Sequence, residues 1–385
     1  MADITANAYA WSSTEASNPP AGTTTIGAGL DDNLRAIEAG VATWLALLPH
    51  LGTENIALSA SVASNALTIA LKTKAVSDPS TTDKVRVGFR NVTAATGDYT
   101  RVDVTAATSL VISSGSTLGA RSGVPFRIWI VGFNDGGTFR LGAINCVTSV
   151  AGAGAGSDVT KIYPLSAWGI ASSTAEGGAG GADSAQVFYT GTAVTDKAYT
   201  VLGYMTWESG LTTAGTWDAA PTRIQLFGMG VKLPGQIIQV QRTDTGATST
   251  GSTTIPNDDT IPQNTEGNEY MTQAITPSST ANVLRVSSQW VGSHGVAGAS
   301  HLIAALFQDS TANALKAVSS VVASSDQMDT LCLFHQALAA TTSATTFKVR
   351  AGADQAGTTE FNGSSSSRKF GGVMNSFLEA VELMG

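Results

Sequence analysis

The chain is poor in charged residues, and this bounds its partners. Only 13% of the 385 residues are charged, with 21 Lys and Arg against 29 Asp and Glu, and no basic cluster is present. Proteins that bind nucleic acid present basic patches to the phosphates, so a net charge of −8 argues against DNA or RNA binding. The chain also lacks an apolar run of about 18 residues and a basic, apolar leader, which predicts neither membrane insertion nor a secretory signal.

Cysteine and histidine are scarce as well. Cys146 and Cys332 lie in separate apolar runs, which indicates two buried, reduced thiols rather than a disulfide. His294, His301 and His335 show no spacing typical of metal ligands, so we expect structural or surface roles for them. The sequence therefore predicts no metal site and no cofactor.

Motifs for catalysis are also missing. There is no GxSxG elbow and no HExxH, and the Gly-rich AGAGAGSD lacks the strand, helix and Lys of a phosphate-binding loop. A glycosidase needs two carboxylates facing one sugar, whereas the carboxylate pairs here lie on predicted loops or at the terminus, where a solvated acid is the ordinary explanation. These pairs are Asp258 with Asp259, Glu266 with Glu269, Asp326 with Asp329, and Glu379 with Glu382. We predict no catalytic residue and no enzymatic activity.

What the chain does contain is glycine, small residues and short alternating apolar runs. NALTIALKT places Leu67, Ile69 and Leu71 on one face, and similar runs continue to SFLEAVELM. FNDGGTFRLGAI predicts a hairpin with positive φ angles at Asp135, Gly136 and Gly137. SHLIAALFQD and DTLCLFHQAL are almost continuously apolar, as expected for strands covered on both faces. The predicted fold class is mainly β, with a central antiparallel β-sandwich and a C-terminal β-sandwich or jelly-roll head.

Composition divides the chain into five segments. The first is polar and contains SNPPAG, whose prolines hold the backbone extended, and a later polar, turn-rich stretch reads as a linker. The segments are an N-terminal attachment arm (1–28), a coiled-coil-like helix (29–50), a central β-sandwich (51–242), a linker (243–265) and a head domain (266–385).

The helix stands out because its apolar residues repeat at alternating spacings of 4 and 3, which is typical of a coiled-coil seam. Asp31 and Asp32 supply carboxylates to its first turn, and Pro49 ends it. The predicted seam consists of Leu30, Leu34, Ile37, Val41, Trp44 and Leu48. An amphipathic helix packed on its own chain is the alternative. We favour self-association, and the mixture of Ile and Leu with one Trp leans towards three strands over two.

Two stretches rich in Gly, Ser and Asn lie between predicted strands, where binding loops are commonly mounted. They run from Gly292 to Ala299 and from Asn362 to Arg368. The candidate receptor-contact residues are Gly292, Ser293, His294, Asn362, Ser365 and Arg368. Trp290 and Tyr270 are candidates for stacking on sugars, although a Trp on an alternating strand more often belongs to the core.

Several stretches resemble a known family. PPAGTTTIGAGLDDNLRAIEAGVATW resembles the N-terminal signature of virion fibre proteins of tailed bacteriophages. NALTIALKTKAVSDPSTTDKVRVGFRN, GSTLGARSGVPFRIWIVGFND and VLGYMTWESGLTTAGTWDAAPTRIQLFGMGVKLPGQIIQVQR resemble a module of phage tail-fibre proteins, so that the likeness covers about residues 18–242. The stretch from TFKVRAGADQAG to SFLEAVEL is similar in cadence to the trimeric jelly-roll heads of such fibres.

The resemblance implies a homotrimeric fibre of a virion, assembled in the host cytoplasm. Its N-terminal arm would contact other virion proteins through Trp11, Pro19 and Pro20, and its head would contact host-surface polysaccharide. A head or collar decoration fibre with a mainly architectural role is one alternative. A polysaccharide-degrading tailspike is another, although the absence of a repeat of roughly 20 to 30 residues counts against it.

Overall fold

The computed structural model describes residues 35–41, 52–91, 98–152 and 157–385. Over these ranges the chain forms 27 strands, a short helix over 35–41 and a 3₁₀ turn at Phe370–Gly372. The prediction of a mainly β fold built from antiparallel sheets is confirmed. No helix in the described part of the chain is long and apolar enough to span a membrane.

The first half of the chain contributes three sheets. Sheet A contains β1 (Thr53–Glu54), β4 (Val85–Arg90) and β5 (Tyr99–Val104), and sheet B contains β2 (Ala57–Ala63), β3 (Ala66–Lys72) and β6 (Thr108–Ile112). Sheet C has the spatial order β11 (Trp168–Ala171), β14 (Lys197–Trp207), β7 (Phe126–Asp135), β8 (Thr138–Ile144), β13 (Tyr189–Thr190) and β12 (Thr174–Ala175), with β15 (Arg223–Leu226) also paired to β14. The short β12–β13 pair is parallel, and the other pairs of these sheets are antiparallel.

Sheet C is covered on both faces, which explains the long apolar run of β7. Ile128 and Ile130 pack in one cluster with residues of sheets A and B, among them the fully buried Ile69 predicted from the alternation of β3. Trp129 and Val131 belong to a second cluster on the opposite face. Successive residues of a strand point to opposite faces, so a strand between two cores has no position for a solvated polar residue.

The second half forms a sandwich of two sheets. Sheet D has the order β16 (Ile237–Thr245), β27 (Ser376–Leu383), β19 (Val283–His294), β22 (Met328–Leu338), β10 (Ser157–Ile162) and β9 (Val147–Ala151), and β24 (Thr359–Phe361) joins β17 (Ser249–Gly251) to β19. Sheet E has the order β18 (Asn268–Ile275), β23 (Thr345–Ala353), β20 (Ser300–Gln308) and β21 (Lys316–Val322). A short hairpin follows β24 and consists of β25 (Gly363–Ser364) and β26 (Ser367–Arg368). The core between the sheets includes Trp290, Leu306 and Phe347.

Strand pairing crosses the predicted segment boundaries. The β9–β10 hairpin comes from the first half of the chain, yet β10 pairs with β22, with Asp158 opposite Ala337. Strand β16 pairs with β27 along its whole length, although it begins before the predicted linker. Within that linker, Ile255 is fully buried. The five-part division stays a prediction, but the second sandwich draws strands from both sides of position 242.

A buried arginine joins the two halves. Arg127 lies on β7 and donates hydrogen bonds to Thr206 Oγ1 at 3.1 Å and, across the junction, to Asn282 Oδ1 at 2.9 Å and Ser279 Oγ at 3.1 Å. It also donates to the Gly385 carbonyl oxygen at 3.0 Å. Burial lowers the pKa of Arg127 to about 10, so the guanidinium stays charged near neutral pH.

Three local predictions are corrected. In the β7–β8 turn Gly136 and Gly137 have φ angles of 61° and 91°, whereas Asp135 is the last residue of β7 and does not share this conformation. Cys146 is buried as expected, but Cys332 is exposed, and both are free thiols. Cys332 and Phe334 alternate with buried neighbours, so DTLCLFHQAL is covered on one face only. SHLIAALFQD, in β20, is buried on both faces as predicted.

Candidate functional site

The two candidate receptor-contact segments lie side by side at one end of sheet D. Strand β19 pairs with β24 there, with Gly292 opposite Phe361. The Ser293 hydroxyl donates to the Gly363 carbonyl oxygen at 3.1 Å, and the Asn362 N–H donates to the Val291 carbonyl oxygen at 2.8 Å. Segments about 70 residues apart in sequence therefore form one structural unit.

Most of the candidate contact residues are buried, which corrects their predicted exposure. Gly292, Ser293 and His294 are the last residues of β19 rather than a loop, because β24 continues the pairing along that edge. A side chain at Gly292 would collide with the Glu360 carbonyl oxygen. Asn362 is fully buried, whereas Ser365 and Arg368 are exposed.

Asn362 anchors the segment that follows it. Its Nδ2 donates to the carbonyl oxygens of Thr245 at 2.8 Å and Ala247 at 3.1 Å, and its Oδ1 accepts a hydrogen bond from Ser376 Oγ at 2.7 Å. Its φ angle of 52° is in the left-handed region, which asparagine tolerates better than most residues. The side chain therefore fixes where the chain leaves sheet D, and Asn362 does not present itself to solvent.

Residues 362–373, which we name the apical loop, begin with a tight hairpin. Ser365 and Ser366 both have positive φ angles, of 54° and 57°, as a type I′ turn requires. The Ser366 N–H donates to both carboxylate oxygens of Glu360 at 2.8 Å, and Ser365 Oγ donates to Asp326 Oδ2 at 3.0 Å. Carboxylates of neighbouring segments thus hold the turn in place.

The apical loop ends in an exposed apolar tip that the sequence reading missed. Phe370 is 78% exposed and Val373 is 84% exposed, directly after the basic pair Arg368 and Lys369. Phe370 has a φ angle of 49° and is followed by two glycines at 66° and 94°. A bulky residue with positive φ is strained, and such strain concentrates at functional sites. The signal in the sequence was an aromatic residue before Gly-Gly, outside any alternating run.

The histidines and carboxylate pairs serve the local structure. His294 is buried, with Nδ1 3.3 Å from Thr359 Oγ1, and His301 Nδ1 lies 2.8 Å from Asp354 Oδ2. Glu382 is fully buried. Its carboxylate accepts hydrogen bonds from Ser278, Asn282 and Gln239. Among the described ranges, no group of three or more His, Cys, Asp or Glu side chains could hold a metal ion.

The other carboxylate pairs also have local partners. Asp258 accepts hydrogen bonds from the N–H and hydroxyl of Thr260, and these bonds lower the pKa of Asp258. Glu269 lies 3.4 Å from Lys348 and 3.6 Å from Arg350. These contacts are those of turns and surface ion pairs on sheets.

His335 provides a pH-dependent prediction. Burial lowers the pKa of this histidine, whereas Asp158 raises it and Lys316 lowers it by smaller amounts. The ring therefore takes up its proton at a lower pH in the folded state than in the unfolded chain, where its pKa is about 6.5. This contribution to stability is complete above about pH 6.5 and is lost as the pH falls towards the lower folded-state pKa. We expect His335→Leu to lose less stability than the parent between about pH 7 and pH 5 in urea unfolding. Equal losses would contradict this.

The predicted oligomerisation seam is described only in part. Ile37 and Val41 lie in the helix over 35–41, and the remaining seam residues lie outside the described ranges, as do the predicted attachment residues. Outside the described ranges are Leu30, Leu34, Trp44, Leu48, Trp11, Pro19 and Pro20. Ile37 is 60% exposed, whereas Glu38 and Ala39 are buried. Within residues 35–41 the buried positions are therefore not those of the predicted seam, and Ile37 is exposed in the single chain.

The comparisons with known proteins give distant similarities. No protein-family model and no curated protein matches the chain. The VP2 subviral particle of infectious bursal disease virus is 12% identical over 88% of this chain and 74% of that one, with a TM-score of 0.25. The CBM22-1-CBM22-2 tandem domain of Paenibacillus barcinonensis Xyn10C is 10% identical over 87% of this chain and 91% of that one, with a TM-score of 0.17. Similarities this low do not assign a function.

Proposed function

We propose that this chain is a non-enzymatic structural protein of a bacteriophage virion. In this proposal it forms a homotrimeric fibre that is attached to the particle by its N-terminal arm and presents its second sandwich to host-surface glycans. Its support is the resemblance of the sequence to phage fibre proteins, together with the mainly β architecture. A head or collar decoration fibre would share both features and differ in what the exposed end contacts.

The observation that carries the proposal is the apical loop. A strained Phe370 and a neighbouring Val373 are held in solvent on a segment whose base is fixed by Asn362. Large apolar side chains that are exposed and rigidly mounted are typical of binding surfaces, because they lose little conformational entropy when a partner covers them. Arg368 beside them adds a charged donor suited to polar partners.

Self-association is the second part of the proposal. The exposed Ile37 leaves an apolar residue of the predicted seam available to another copy. Three copies would raise the apparent affinity for a repetitive cell surface through effective concentration, so that each loop needs only weak affinity.

The test is adsorption of virions that carry the double substitution Phe370→Ser and Val373→Ser. We expect the adsorption rate to fall by about tenfold or more, since exposed anchors of this kind dominate binding energy. The matched control is Val76→Ser with Met229→Ser, two exposed apolar residues of the first half, and it should adsorb like the parent. Light scattering should give each purified variant a mass of three 39.2 kDa chains.

Three outcomes would contradict the proposal. Unchanged adsorption of the loop variant would favour an architectural decoration fibre. A parent protein that is monomeric in light scattering would contradict the homotrimer. New reducing ends after incubation with host polysaccharide would support the tailspike alternative instead.

A further inference from the structure

The geometry points to a second binding site, a groove between β10 and β22 that takes a carboxylate-bearing saccharide. The groove lies on sheet D, is formed by other residues than the apical loop, and goes beyond the loop contact proposed above. Its lining comes from β9, β10, β19, β21 and β22, and thus from both sheets of the sandwich.

The groove lies beside the short pairing of β10 with β22. Strands β10 and β22 are in register only where Asp158 faces Ala337. Residues of both strands, together with Lys316 of sheet E, line an open space of about 390 Å³ beside this pairing. This volume is within the range of about 300 to 1,000 Å³ that is typical of small-molecule sites.

One wall offers an aromatic face. Phe334 lines the groove and is 70% exposed, and the residue opposite it on β19 is Ser287, which is too small to cover the ring. Val150 from β9 is a second exposed apolar residue in the lining. An aromatic ring held on a strand loses little entropy when the apolar face of a sugar ring stacks on it.

Arg285 and Gln336 add polar, planar groups to the groove. Arg285 Nε donates to Gln336 Oε1 at 3.3 Å, and Gln336 Nε2 donates to the Val159 carbonyl oxygen at 3.3 Å. This chain of hydrogen bonds orients the guanidinium and the amide along one edge of the groove. The buried His335 also borders the groove, but its Nδ1 is itself buried and is not available to a ligand.

Charge selects the class of saccharide. Lys316 lies 3.8 Å from Asp158, so these two opposite charges offset each other. Arg285 forms no ion pair among the described residues. Since burial lowers the pKa of His335, this ring is neutral at pH 7 and adds no charge. The lining therefore carries one net positive charge on a chain whose net charge is −8. A guanidinium recognises a carboxylate with two parallel hydrogen bonds, so an acidic sugar fits better than a neutral one.

Calorimetric titration with two probes tests the site, using the full chain with tetragalacturonate as the acidic saccharide and maltotetraose as the neutral one. We expect saturable binding of tetragalacturonate that weakens as salt is added, and binding of maltotetraose that is about tenfold weaker or absent. Phe334→Ala and Arg285→Gln should each lower the affinity for tetragalacturonate by about tenfold. Met229→Ala, at an exposed apolar residue of the first half that belongs to neither the groove nor the apical loop, is the control and should bind like the parent.

Several results would overturn the inference. No saturable binding of tetragalacturonate, equal binding of both probes, or full binding by Phe334→Ala would each exclude the site. A lower oligomer mass of Phe334→Ala in light scattering would show that the ring instead contacts a second copy of the chain. Because the apical-loop variants leave the groove intact, loss of saccharide binding and loss of adsorption can be assigned to different sites.

Discussion

Replacing Arg127 with Met is expected to lower the free energy of unfolding by about 3 to 5 kcal/mol, the range for breaking a buried charged network. Arg127 is the donor to acceptors on both sides of the junction, among them Thr206 and Asn282. Met fills similar volume but donates nothing, so these buried acceptors lose their partner. The fully buried Glu382, which accepts a hydrogen bond from Asn282 Nδ2, would lose its nearby positive charge.

Urea unfolding followed by tryptophan fluorescence measures this loss, since Trp129 and Trp290 report on the two halves. The matched control is Arg223→Met, an exposed arginine on β15, which should change stability by no more than about 0.5 kcal/mol. If Arg127→Met behaves like this control, the junction is not held by the guanidinium.

Replacing Asn362 with Ala is expected to lower the free energy of unfolding by about 3 kcal/mol. Three neutral hydrogen bonds of about 1 kcal/mol each are lost, and the buried groups that made them are left without a partner. The carbonyl oxygens of Thr245 and Ala247 and the hydroxyl of Ser376 would lose their partner. Alanine also tolerates the left-handed backbone less well than asparagine does.

Asn362→Gly separates the two causes, because glycine removes the side chain but accepts the φ angle without strain. Asn362→Gly should therefore be more stable than Asn362→Ala only by the smaller contribution that comes from the backbone conformation. Asn375→Ala, an exposed asparagine close by in sequence, is the control and should be nearly neutral. A loss below about 1 kcal/mol for Asn362→Ala would mean that water replaces the side chain at the base of the loop.

The alternation of apolar residues was enough to predict most long strands. Leu67, Ile69 and Leu71 are buried on one face, as their spacing requires, and the continuous apolar run of β20 lies between two covered faces. Local sequence sets these patterns, because the period of two follows from the backbone itself. The class of fold could therefore be read directly.

Pairing between distant strands could not be predicted in this way. Nothing in GQIIQVQR shows that β16 pairs with β27, about 137 residues further along the chain. The same limitation affected the candidate loops, since VGSH looks like a turn until β24 supplies a partner for its edge. Phe334 and Phe370 look like core residues by type, and only the absence of a covering element in the described structure shows that they are exposed. Whether a side chain is exposed depends on which distant segments pack against it, and the residues next to it in sequence do not determine this.

The β9–β10 hairpin sets a constraint on how the protein is synthesised. Its partner strand β22 is translated about 177 residues later, so the hairpin leaves the ribosome long before sheet D can accept it. At roughly 5 to 20 residues per second, this interval lasts about 10 to 35 seconds, during which an unpaired edge is open to other nascent chains. On neighbouring polysomes, the hairpin of one nascent chain could pair with a strand of another copy, and this misassembly would increase with the concentration of nascent chains. A chain that begins at residue 266 would in turn fold without the outer strands of its own sheet.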